Sequence, residues 1–96
     1  MLKIEKTVND RELRLALNGE LDSTTSSALN QEVQNLDDVD SVLLDLGNLA
    51  YTSSAGLRVI MGLKRRLAGR PLMLENIGTE VREVLDMTGS SKLLGL

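Results

Sequence analysis

The chain has 96 residues, 42% of them apolar and 26% charged, which suits a single globular core and is unlike a disordered segment. Tyr51 is its one aromatic residue and its net charge is −3, which argues against stacking on single-stranded nucleic acid and against an overall attraction to phosphate backbones or anionic lipid. With no cysteine and no histidine, it has no disulfide, no thiolate catalyst, no usual zinc site and no Ser-His-Asp triad.

Leu2 and Ile4 alternate with Lys3 and Glu5, and after an Asn9-Asp10 turn signal Leu13, Leu15 and Leu17 alternate with Glu12, Arg14, Ala16 and Asn18. This period of two predicts a hairpin of half-buried strands, ended at Gly19. The cluster Asp22-Ser23-Thr24-Thr25 offers several helix caps before a pattern in which Leu29, Val33 and Leu36 share a face, so a helix is expected at about 25–36. Val42-Leu43-Leu44-Asp45-Leu46, bounded by Asp37-Asp38 and Gly47-Asn48, reads as a short interior strand.

From Ser54 to Ala68 a wide apolar stripe (Leu57, Ile60, Met61, Leu67) predicts a helix stopped by Gly69 and Pro71. Leu72-Met73-Leu74 follows as a buried strand, and Gly78-Thr79 opens a helix that Gly89 ends. Ser90 to Leu96 supplies either a last strand stub or a frayed end. The order β-β-α-β-α-β-α, with an optional final β, implies an α/β domain over residues 1–96 whose mostly parallel sheet is made mixed by the opening hairpin.

The start of the chain alternates instead of forming the apolar run of a signal peptide, and no later run reaches membrane-spanning length, so a cytoplasmic protein without membrane contact is expected. Residues 1–50 carry 4 basic and 10 acidic side chains, residues 51–96 carry 7 and 4. Lys64, Arg65, Arg66 and Arg70 therefore read either as the solvated end of a helix or as a basic strip.

The informative stretch runs from Asp45 to Val59, out of the interior strand and into the strongest helix. Partner and ligand sites of open α/β sheets lie at that edge. A serine there, Ser53 or Ser54, has two uses: it caps free backbone N–H groups, or it accepts a phosphoryl group whose charge those N–H groups favour. A hydrolase elbow is not supported, because its first glycine and a histidine base are missing and Lys64 lies too far along the helix. There is no nucleotide-binding glycine loop. Asp45 is either a strand-end carboxylate bonded to loop N–H groups or a relay acid, and Asp22 either a helix cap or an acid near Ser54.

Val42-Leu43-Leu44-Asp45-Leu46 followed by Tyr51-Thr52-Ser53-Ser54-Ala55-Gly56-Leu57-Arg58-Val59 resembles the signature of STAS domains found in bacterial anti-sigma factor antagonists. Leu17-Asn18-Gly19-Glu20-Leu21-Asp22 is similar to the family's Gly-Glu-Leu-Asp turn, and Val84 to Gly89 extends the resemblance to nearly the whole chain. The resemblance implies a regulated binding module, not an enzyme, with no cofactor or metal, no direct contact to nucleic acid, and a monomer or weak dimer. Unmodified, such an antagonist binds an anti-sigma factor that is also a serine kinase and so regulates transcription; phosphorylation at the start of the second helix breaks the complex, and a serine phosphatase reverses it.

Matched onto this chain, the phosphorylated serine is Ser54, with Ser53 as the alternative because it stands where many members have Asp. The implied partner surface comprises Asp22, Ser23, Thr24, Thr52, Ser53, Ser54, Gly56 and Arg58. Two other readings remain: a scaffold of the same fold that is never phosphorylated, and a small-ligand sensor, which requires an enclosed apolar pocket.

Overall fold

A computed structural model describes residues 1–96, in the order β1 (Leu2–Asn9), β2 (Glu12–Leu21), α1 (Ser26–Glu32), β3 (Ser41–Thr52), α2 (Ser54–Leu67), β4 (Leu72–Glu75), α3 (Thr79–Met87) and α4 (Ser90–Leu93). The four strands form one sheet in the order β1-β2-β3-β4, with β1 antiparallel to β2 and the remaining pairs parallel. This is the mixed α/β architecture that the alternation of strands and helices implies.

The hairpin between β1 and β2 turns through Asp10 and Arg11, both at positive φ (48° and 67°), the left-handed pair that matches the twist of a two-residue hairpin. Alternation sends Leu13, Leu15 and Leu17 of β2 and Val42, Leu44 and Leu46 of β3 to the helix-covered face, where they are buried with Leu57, Ile60, Leu63 and Leu67 of α2 and Val81 and Leu85 of α3. Leucines dominate this core, as expected of a chain with one aromatic residue, and that residue, Tyr51, is 47% exposed.

Three boundaries depart from the sequence pattern. β2 does not stop at Gly19 but passes through it at φ +112°, where a Cβ would run into the carbonyl of Met1. β3 does not stop at Leu46 either. Its register against β2 slips between Ala16 and Asn18 and again between Gly19 and Glu20, each slip placing one extra residue on β3. The apolar spacing of two that ends at Leu46 becomes a spacing of three, Leu46, Leu49 and Thr52, all buried. Gly47-Asn48 marks a bulge, not a strand end. Asp45 fixes it, since one carboxylate oxygen accepts from the Gly47 N–H at 3.0 Å and the Asn76 amide at 3.1 Å. Those two bonds, with Arg14 nearby, hold the Asp45 carboxyl below the usual aspartate range.

α1 ends at Glu32, four residues short of Leu36. The backbone carbonyls beyond it are taken by arginines of and after α2: Arg66 Nη1 donates to Val33 O at 3.1 Å, and Arg70 Nη1 donates to Leu36 O at 2.7 Å and Val39 O at 2.6 Å. Charged donors from elsewhere in the chain replace the helical ladder, so Leu36 and Val39 stay buried without helix.

At the C-terminus the optional strand is a short helix, α4. Ser91 Oγ donates to Asp86, Thr88 Oγ1 and Ser90 Oγ share a hydrogen bond at 2.8 Å, and Leu94 seals the core at 8% exposure. Ser90 and Ser91 are buried by these contacts, an arrangement that helix geometry permits and a strand edge does not offer.

Candidate functional site

The site lies where β2 and β3 end side by side. Ser53 N–H donates to Leu21 O at 2.8 Å, so the Asp22–Thr25 turn and the start of α2 are held next to each other by the sheet itself.

The two adjacent serines have different surroundings. Ser53 is the N-cap of α2, with extended backbone (φ −96°, ψ 176°), and its Oγ accepts from the Gly56 N–H at 3.4 Å while its carbonyl accepts from the Leu57 N–H at 3.0 Å. It is half-buried. Ser54 is the first residue inside the helix and is exposed, and its hydroxyl caps nothing. The two uses of a serine at a helix start thus fall to two residues: capping to Ser53, an open hydroxyl to Ser54.

Thr52 and Gly56 are not on this surface, which corrects their place among the partner-binding residues. Thr52 is 1% exposed and Gly56 is buried. A Cβ at Gly56 would lie 2.6 Å from Thr52 Oγ1 and 2.7 Å from Leu21 Cγ, so the glycine is there to let α2 approach the sheet. These residues set the position of the serines from beneath.

Asp22 does the work of a cap, for the turn that leads into α1. Its Oδ1 accepts from the backbone N–H groups of Thr24 at 2.9 Å and Thr25 at 3.1 Å and from the Thr24 hydroxyl at 2.7 Å, while Thr25 Oγ1 donates to Glu20 O at 2.8 Å. Asp22 O also accepts from the Ser26 N–H at 2.9 Å, so the capped turn runs straight into α1, whose flanking Thr25 adds no side-chain cap. The Thr24 hydroxyl foremost, then the two N–H groups, hold the Asp22 carboxyl below its usual range. The turn is a pre-formed, negatively charged knuckle beside Ser54, with Ser23 and Thr24 exposed on it.

Arg58 follows Ser54 by one helical turn on the same face and is exposed. It borders a groove of about 700 Å³ between α1 and α2, which Ser26, Ser27 and Asn30 line from one side and Arg58, Arg65 and Arg66 from the other. Arg65 and Arg66 belong to the run that the sequence offered as a helix end or a basic strip, whereas Ser26, Ser27 and Asn30 escaped the sequence reading. The available signal was the spacing of Ser26 and Asn30, four apart on the solvent side of a helix whose Leu29 is buried. No helix of the chain is long and apolar enough to cross a membrane.

Comparison with known proteins agrees with this geometry. The family model described as Mlab, STAS domain, matches residues 4–95. A curated protein of Bordetella bronchiseptica named as an anti-sigma factor antagonist, BtrV, is 34% identical over 92 residues, spanning 92% of this chain and 79% of its own. The crystal structure of an anti-sigma factor antagonist from Mycobacterium paratuberculosis superposes with a TM-score of 0.87 at 21% identity, covering 97% of this chain and 82% of that one. SpoIIAA, solved unphosphorylated, gives 0.81 at 21% identity over 96% of this chain and 84% of its own. In its phosphorylated form, described as a Bacillus cell fate determinant, it gives 0.74 at 20% identity over 96% and 86%. With the model matched over residues 4–95 and a relative at 34% identity, the chain belongs to the STAS domain family.

Proposed function

We propose that this STAS protein is an anti-sigma factor antagonist that works as a phosphorylation-controlled binding switch. Unmodified, it binds an anti-sigma factor with serine kinase activity; a phosphoryl group on Ser54 releases that partner, and a serine phosphatase restores binding. The partner supplies ATP and catalysis, while this chain supplies a hydroxyl and a shaped surface. The observation that carries the reading is the exposed Ser54 hydroxyl at the first residue of α2, free of the capping duty that Ser53 performs.

The physical basis is charge. A phosphoserine adds about −1.5 to −2 units, beside a turn that already bears Asp22 and Glu20. Like charges brought together in an interface cost several kcal/mol, and about 1.4 kcal/mol is tenfold in affinity. No refolding is needed. The names of the curated relative and of the solved antagonists support the class of partner, and the existence of SpoIIAA structures in both states supports the kind of switch. The polar, open character of the groove between α1 and α2 weighs against the small-ligand reading.

The test is incubation with the anti-sigma kinase encoded alongside this chain, followed by mapping of the modified residue by mass spectrometry. Modification at Ser54, abolished in Ser54→Ala and retained in Ser53→Ala, is the expected result, with Ser54→Asp no longer binding the kinase. Modification at Ser53 moves the switch by one residue. Absence of modification with full function of Ser54→Ala favours a constitutive scaffold instead.

A further inference from the structure

Most cations of this chain are already engaged. Lys3, Lys6, Arg11, Arg14 and Arg82 each lie within 4.0 Å of a carboxylate. Arg66 and Arg70 donate to backbone carbonyls and Asn30. Of the four residues that read as a helix end or a basic strip, then, Arg66 and Arg70 are structural braces. The cations with neither a carboxylate nor a carbonyl are Arg58, Lys64, Arg65 and Lys92, and the first three stand on α2. In a protein of net charge −3, the groove between α1 and α2 has three arginines and no acidic residue in its lining.

A second feature points to the same groove. Gly62 sits in the middle of α2, where glycine weakens a helix. Nothing in this chain requires it: a Cβ there would meet only Arg65 Nη2, at 3.8 Å. The contrast with Gly56, wedged against Thr52 and Leu21, is plain. A bare helix surface between Arg58 and Arg65 leaves room for another backbone to come close.

We infer that the groove between α1 and α2 is a docking site for a carboxylate-rich segment of the partner protein, gated by Ser54 through Arg58, which a phosphoryl group on that serine draws away from the groove. The gating rests on the function proposed above; the acid preference of the groove does not. An extended segment fits better than a small molecule because the groove is open and polar, with Ala55 and Val59 its only apolar lining. Arginine suits the role, since its fork pairs with either a carboxylate or a phosphate in two parallel hydrogen bonds.

The experiment titrates the isotope-labelled full chain with a short Asp- and Glu-rich peptide, its Asn and Gln counterpart, and inorganic phosphate, following backbone amides by NMR. Shifts confined to Asn30, Ala55, Arg58, Val59 and Gly62 with the acidic peptide alone are expected. Affinity should fall by about tenfold or more in the Arg58→Glu, Arg65→Glu double variant, and likewise in Gly62→Gln, with both variants still folded and the thermal midpoint of Gly62→Gln raised by the loss of a mid-helix glycine. With phosphoserine incorporated directly at position 54, peptide affinity falls in the same way. The phosphate's second pKa, read by phosphorus NMR, lies below its ordinary value of about 6 and returns to it in Arg58→Gln.

Shifts elsewhere, an equal response to the neutral peptide, the same shifts with phosphate alone, or doubling of the protein's mass in solution would each overturn the docking site. An unperturbed phosphate pKa would overturn the gating. A kinase that ignores Ser54 while the acidic peptide still binds would defeat the switch and leave the groove standing.

Discussion

The uncovered face of the sheet and the outer face of α2 both carry arginines, and they treat them in opposite ways. On the sheet, Arg14 of β2 reaches across β3 to Glu75 of β4 at 3.4 Å, Lys3 stands by Glu5 at 4.0 Å, and Asn18 donates to Glu5 at 3.4 Å. Leu43, the register partner of Arg14 and outside the main apolar cluster, is only 4% exposed there, as expected if the arginine stem lies over it. On α2, Arg58 and Arg65 stand beside no acid. Charges neutralised within the chain keep a surface soluble and self-contained, whereas charges left open keep it available to something else.

That contrast can be broken in stages. Gly56→Ala should be the most damaging, because a methyl group 2.6 Å from Thr52 Oγ1 must push α2 off the sheet. A loss of about 2–3 kcal/mol in urea unfolding is expected, and the serines above it should lose partner binding with it. Arg70→Ala tests the arginines used as braces: the Leu36 and Val39 carbonyls lose a charged donor, and about 2 kcal/mol of stability should go with it. A cost near zero would mean that water replaces the guanidinium without loss.

Arg14→Gln is milder, since its pair with Glu75 is half exposed and such pairs contribute about 0–1 kcal/mol. It should leave partner affinity untouched, and a loss of binding there would erase the distinction between the two faces. Smallest is the response to acid. Asp22, Asp45 and Asp86 all titrate below their usual value when folded, so the unfolded chain binds more protons than the native one as pH falls past the ordinary aspartate range of about 4. Their contribution is fully present at neutral pH and is lost as pH drops through the lowered values. Chemical denaturation between pH 5 and 3, taken as approximate bounds from those reference values, should show stability falling, and less steeply in Asp45→Asn.

Where local chemistry decides, the sequence was a sufficient guide. The stripe Leu57, Ile60, Met61, Leu67 marks out α2 because all its determinants lie within one helix, though Leu63 and not Met61 is fully buried, and the Asn9-Asp10 turn does the same for the hairpin. The end of α1 was illegible because it is settled by Arg66 and Arg70, more than 30 positions away. β3 was cut short because its two extra residues break the alternation by which strands are recognised. Around the site, the motif located Ser53 and Ser54 together, but only the extended backbone of Ser53 shows which of them caps the helix. Thr52 and Gly56, equally prominent in the motif, serve packing, a role that spacing alone does not separate from contact.

The two irregularities in β3 also give the length of that strand some slack. β2 alternates without a break through Leu17, Gly19 and Leu21, while β3 answers on the same face with Leu46, Leu49 and Thr52, so each added residue is taken up between two positions that stay inward. Removing one residue of Gly47-Asn48 should restore plain alternation with Leu49 and Thr52 still inward and Tyr51 still outward, so the doorway of α2 keeps its place beside the Asp22 knuckle.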